Sequence, residues 1–137
     1  MKMPSTLNRS LFITAGILVL SGTSWAEVIC GKEHPLKPVR CVCGKLVDQS
    51  GGPVSGALVT LNQNGTPFAR VNTDADGKFL FRELKPGRYE LAAGFDGFRP
   101  FQSPIVVTKP VNQCRRELVI MMVLPYPDNC GSYVMKR

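Results

Sequence analysis

An all-β sandwich with Greek-key connections is the fold this sequence predicts, on three observations. Short strand-like segments follow one another from Val39 to Leu124, turn residues stand between them, and no segment carries a convincing helical period. The run Thr73 to Phe98, TDADGKFLFRELKPGRYELAAGFDGF, is the densest case: a turn, a strand, a Pro-Gly corner and a second strand with almost no spacer.

Val39 to Val47 is the first predicted strand, and Asp48-Gln49-Ser50-Gly51-Gly52-Pro53 ends it with turn chemistry. Ala57 to Asn62 is the second and Pro67 to Thr73 the third, with Gln63-Asn64-Gly65 between them. Asp76-Gly77 suits a β-turn, because glycine tolerates positive φ and an Asp side chain bonds its own backbone. Lys78 to Arg82 then places Phe79 and Phe81 on one face. Pro86-Gly87 is the next corner. Beyond it Arg88 to Gly94 puts Tyr89, Leu91 and Ala93 on one side and Arg88 and Glu90 on the other, the period of a half-buried strand. These two strands are expected to lie side by side in an antiparallel sheet. Phe98 to Phe101 and Ile105 to Thr108 are shorter pieces, and Cys114 to Leu124 is predicted to be the longest strand.

That last segment is apolar on both faces, with Val119, Met121 and Val123 opposite Leu118, Ile120 and Met122. Either the N-terminal arm or the tail Tyr126 to Arg137 covers the outer face, or Val119, Met121 and Val123 form an interaction face for another protein.

Lys2 and Arg9, the apolar stretch Leu11 to Leu20, and small residues ending in Ser24-Trp25-Ala26 have the order of a secretory signal cleaved after Ala26. The expected domains are therefore a signal peptide over 1–26, an irregular arm over 27–38, a sandwich over 39–124 and a tail over 125–137. No segment is long and apolar enough for a bilayer core of about 30 Å, so no transmembrane anchor is expected and the address is secreted or periplasmic. Removing the signal takes away two of seventeen basic residues and none of ten acidic ones, leaving a net charge of +5. Within the folded part only Arg115-Arg116 are adjacent cations, without interleaved aromatics, which argues against nucleic acid as a partner.

In an oxidising compartment the five cysteines, Cys30, Cys41, Cys43, Cys114 and Cys130, are disulfide candidates with one left over. Spacing leaves the connectivity open. Cys41 and Cys43 share a face of the first strand, so they are expected to reach different partners, one of them pairing with Cys114 while Cys30 and Cys130 fasten the tails. There is no CxxC, and His34 is the one imidazole, so no metal or other cofactor is expected.

The blocks Gly44-Lys45-Leu46-Val47-Asp48, Gly52-Pro53-Val54-Ser55-Gly56-Ala57-Leu58-Val59-Thr60-Leu61, Thr73-Asp74-Ala75-Asp76-Gly77-Lys78-Phe79 and Leu84-Lys85-Pro86-Gly87-Arg88-Tyr89-Glu90-Leu91, in this order, resemble the carboxypeptidase regulatory-like domain. The resemblance covers about Val39 to Leu124. It implies a seven-stranded Greek-key sandwich of transthyretin-like type with no zinc and no catalytic groups of its own. Fold alone does not supply a ligand.

Sharper chemistries fit the residues poorly. Enzymes of this fold that hydrolyse 5-hydroxyisourate use several histidines, an arginine and a terminal Tyr-Arg-Gly-Ser, whereas this chain has His34 alone and ends Gly131-Ser132-Tyr133-Val134-Met135-Lys136-Arg137. Intradiol-type dioxygenases need His and Tyr iron ligands that this chain cannot assemble. In the isopeptide-forming pilus repeats, Lys45 would match the reactive lysine, but the assisting Glu position falls on Ala93 and Glu90 faces the wrong way. Asp74-Ala75-Asp76-Gly77 is similar to the start of a calcium loop without its later ligands. Phe95, Phe98, Phe101 and Tyr126 would make a sugar-stacking platform or pack in the core. The expected function is an exported, non-enzymatic structural or binding module, monomeric or weakly self-associating. The alternative is a carbohydrate- or protein-binding accessory of a cell-envelope assembly, and a hydroxyisourate-type hydrolase stands third.

Overall fold

The computed structural model describes residues 36–126 and 130–135, and every regular element among them is a strand. In chain order these are β1 (Val42–Val47), β2 (Leu58–Gln63), β3 (Thr66–Asn72), β4 (Lys78–Phe81), β5 (Gly87–Gly94), β6 (Phe101–Val107), β7 (Leu118–Met121) and β8 (Tyr133–Val134). They form two four-stranded sheets, ordered β4-β1-β7-β8 and β3-β2-β5-β6. The fold class read from the sequence is the one observed. Its seven sandwich strands are joined by the short β8.

Local chemistry places most of these boundaries. Asn64 and Gly65 adopt φ of 51° and 75°, the pair of left-handed conformations that lets a two-residue turn match the twist of the strands it joins. β2 and β3 therefore form a tight hairpin, ending in the pair Gln63↔Thr66. At the next turn Gly77 has φ of 73° and its carbonyl accepts the Leu46 N–H at 2.8 Å, so the turn is pressed against β1. Asp74 Oδ1 accepts the backbone N–H groups of Asp76 and Lys78 at 2.9 and 2.8 Å, which closes that turn with a side chain. Thr73 is buried: its hydroxyl donates to Val54 O at 2.6 Å and accepts from Ala57 N at 2.9 Å, fixing the entry to β2.

The core fills the space between the inward faces, as alternation requires. Val42, Leu46, Phe79, Phe81, Ile120 and Met122 meet Val59, Leu61, Tyr89, Leu91, Phe101 and Ile105 there. Tyr89 buries its ring while its hydroxyl donates to Lys85 O at 2.9 Å, satisfying the polar tip.

Several expectations need correction. β4 and β5 are not neighbours: β4 pairs with β1, and β5 lies between β2 and β6 in the other sheet. The Pro86-Gly87 corner carries the chain across the sandwich, with Leu84 buried at the crossing. The first strand starts at Val42, because Val39 instead bridges Val107 at the edge of the other sheet. The two short pieces around residue 100 are one strand, β6, whose Pro104 is tolerated at a sheet edge where a missing N–H breaks no ladder. β7 has four residues and β5, with eight, is the longest strand; Cys114 to Glu117 are exposed or half-buried loop. β1 and β7 run parallel, so the first sheet is mixed and not wholly antiparallel. The predicted signal and most of the predicted arm, including Cys30 and His34, lie outside the described residues.

The Asp48 turn offers a test with a pH signature. Asp48 Oδ1 accepts from the Ser50 hydroxyl at 2.6 Å and from the Ser50 and Gly52 N–H groups at 2.8 and 2.9 Å. The Ser50 side chain first, and then the Gly52 backbone, hold this carboxyl below its ordinary value of 3.8. A carboxyl depressed in the native state stabilises the fold fully above its unfolded value, and the contribution is lost as pH falls through the native one. Asp48→Ala is expected to be less stable than the parent in urea titrations near neutrality, with the gap closing in strong acid. A gap of equal size at both pH values would mean that the charge is not what the turn uses.

Candidate functional site

A concavity among the described residues is built where two irregular segments meet. One is the approach to β1, Pro38 to Cys41; the other follows β6, from Pro110 to Arg116. Arg40 ties them together, since its carbonyl accepts the Val111 N–H at 2.8 Å and its Nε donates to Lys109 O at 3.1 Å. The Cys43–Cys114 disulfide, with Cα atoms 6.2 Å apart, anchors the second segment to β1. Between them lies a cleft of about 860 Å³.

Its chemistry is one-sided. Arg40, Arg115 and Arg116 supply exposed guanidinium groups, Asn112 and Gln113 supply amides, and prolines and valines supply apolar wall. Among the described residues lining it there is no carboxylate and no imidazole, so it offers donors for an anion and no acid–base pair.

Cys41 forms part of the wall. It is a free, buried thiol, and its sulfur together with those of Cys43 and Cys114 forms a group within 4.8 Å of one another. Burial pushes the Cys41 thiol up from its ordinary value, and the charge of Arg82 partly opposes this. Cys130 is disulfide-bonded as well.

The other residues singled out in the sequence are dispersed. Val119 and Val123 are buried and Met121 is half-buried, so the three do not present an open face. The tail reaches this region: β8 pairs with β7, Tyr133 Oη donates to Met121 Sδ at 3.2 Å, and Met135 N donates to Val119 O at 2.8 Å. Ser132, fully buried, pins the tail by accepting from Val123 N at 3.1 Å and donating to Arg99 O at 2.6 Å. Phe101 belongs to the core and Phe98 packs against it, leaving Phe95 and Tyr126 as the exposed members of that group of four. They sit by the β5–β6 loop, at the opposite end of that sheet from the cleft. Lys45 lies on the outside of one sheet and Glu90, which accepts from Asn62 Nδ2 at 3.3 Å, on the outside of the other. The isopeptide arrangement is therefore not assembled. The Asp74 carboxylate oxygen is already committed to its own turn.

The cleft was not foreseen as a unit. Its one sequence signal was the Arg115-Arg116 pair; Arg40 stands about seventy residues earlier, at |i−j| of 69 from its partner Lys109.

The matching family model is that of the carboxypeptidase regulatory-like domain, over residues 42–116. No curated protein sequence matches the chain. Among solved structures the chain is similar to the 5-hydroxyisourate hydrolase of Klebsiella pneumoniae, with a TM-score of 0.52 and 22% identity, covering 70% of this chain and 99% of that one. It also aligns with the 3-chlorocatechol 1,2-dioxygenase of Rhodococcus opacus 1CP, with a TM-score of 0.38 and 12% identity, covering 79% of this chain and 62% of that one. The first likeness concerns the fold alone, and the second carries no argument.

Proposed function

The chain belongs to the carboxypeptidase regulatory-like domain family and has a transthyretin-like sandwich, and we propose that it serves as an exported, non-catalytic binding module whose cleft takes a carboxylate-bearing partner of the cell envelope. The observation that carries this reading is the cleft lining, which includes Arg40, Arg115 and Arg116 together with the amides of Asn112 and Gln113 and no carboxylate. Guanidinium groups bind carboxylates through paired, charge-assisted hydrogen bonds, and the apolar wall gives the rest of a ligand a surface to pack on. Export is supported by the order of charge, apolar stretch and small residues at the start of the chain, and by a disulfide-bonded fold that an oxidising compartment maintains.

The test uses the processed chain with two defined probes, a fluorescent oligoglutamate peptide and an oligogalacturonate of matched charge. Binding of at least one is expected, weakening as salt shortens the screening length below about 10 Å, and falling about tenfold or more in Arg115→Glu/Arg116→Glu. Affinity unchanged by the charge reversal would refute the cleft. Incubated with 5-hydroxyisourate, the chain is expected to leave the spontaneous decay rate unaltered; acceleration that survives purification would refute the non-catalytic reading.

A further inference from the structure

We propose that the Cys41 thiol is an exchange partner for the Cys43–Cys114 disulfide, so that Cys114 can be tethered to either of two positions at the start of β1. Three observations carry this. The sulfur of Cys41 lies with those of Cys43 and Cys114 in a group within 4.8 Å, so a sulfur–sulfur encounter needs side-chain rotation and little backbone travel. Cys41 is buried, which shields it from bulk thiols and leaves the neighbouring disulfide as the sulfur within its reach. Cys114 sits in a segment without strand structure, held by the Arg40 contacts and not by a sheet ladder, so it can follow either tether without breaking β pairing.

The step balances within the chain. Cys41 gives up its proton to water, its thiolate attacks Cys114 Sγ, the Cys41–Cys114 bond forms as the Cys43–Cys114 bond breaks, and Cys43 leaves as a thiolate that takes up a proton. No oxidant or reductant is consumed. Burial disfavours the Cys41 thiolate, the positive charge of Arg82 offsets this only in part, and exchange is therefore faster at alkaline pH.

The two tethers are not equivalent. Cys41 lines the cleft and Cys43 does not, standing two residues further along in β1. Exchange therefore moves the tether of the Arg115-Arg116 segment onto a residue of the cleft wall, and the lining of the cleft depends on which bond is present. The exchange itself is independent of what the cleft binds.

The experiment is disulfide mapping of the processed chain. Free thiols are trapped with N-ethylmaleimide in acid after equilibration at mildly alkaline pH, and fragmentation of the Cys41–Lys45 tryptic peptide locates the label. In folded Cys43→Ser, Cys114 is expected in a disulfide with Cys41, while in Cys41→Ser it stays bonded to Cys43. A folded Cys43→Ser whose Cys114 is alkylated overturns the proposal. Should that variant fail to fold, the wild-type chain decides: label on Cys43 in a measurable fraction supports exchange, and label confined to Cys41 overturns it.

Discussion

Gly44→Ala is expected to cost about 3 kcal/mol or more, a large share of what a domain of this size possesses. Gly44 pairs with Leu118 across the β1–β7 ladder, and its inward side faces the Phe79 ring. A methyl group there would stand against the carbonyl oxygen of Leu118, well inside van der Waals contact, and 3.0 Å from the end of the Phe79 ring. The ring can move, but the carbonyl is part of the backbone. β7 must therefore retreat from β1, which loosens the Ile120 and Met122 side of the core at the same time. Urea unfolding is the measurement, with a lower midpoint and an unchanged slope as the expected outcome. A midpoint within error of the parent would mean that β7 does not approach β1 this closely.

Cys114→Ser is expected to lose about 4 kcal/mol, because the bond it removes closes a loop with a sequence separation of 71. For a domain of this size that corresponds to a fall in Tm on the order of 15 °C or more. Cys43→Ser removes the same bond on paper, yet it should lose clearly less, since Cys41 remains to take Cys114. Thermal unfolding of the two variants without reductant separates the cases. Equal losses would place the whole stabilisation in the Cys43 bond and deny Cys41 any part in it.

Much of the fold was legible in the residues, for reasons that are local. Asn64-Gly65 between two alternating segments specifies a hairpin, and the alternation of Tyr89, Leu91 and Ala93 fixes which face of β5 enters the core. Periodicity states which residues share a face; it does not state which strand lies alongside. That is why β4 and β5, adjacent in sequence and each correctly recognised as a strand, were expected to pair and instead occupy different sheets. The last strand was overextended because apolar text runs through Met122 and Val123, whereas pairing with β1 ends at Met121. The tail gave no strand signal, since β8 is two residues whose order depends on Ser132 and on the edge of β7. The cleft has no local signature beyond the Arg115-Arg116 pair. Its walls come from residues 38–41 and 110–116, and only the completed sandwich makes them neighbours.

The parallel pairing of β1 with β7 governs when the molecule can finish folding. Gly44 and Lys45 pair with β4 on one side, but the other side of Gly44 through Val47 is closed only by Leu118 through Met121. Synthesis must therefore have passed Met121 before the sheet that holds β1 is complete. The growing chain can make the Asn64-Gly65 hairpin early but cannot close the sandwich around it. A polypeptide interrupted ahead of Leu118 would keep Leu46, Phe79 and Phe81 without their lid, and such a fragment should be cleared by proteases before it accumulates.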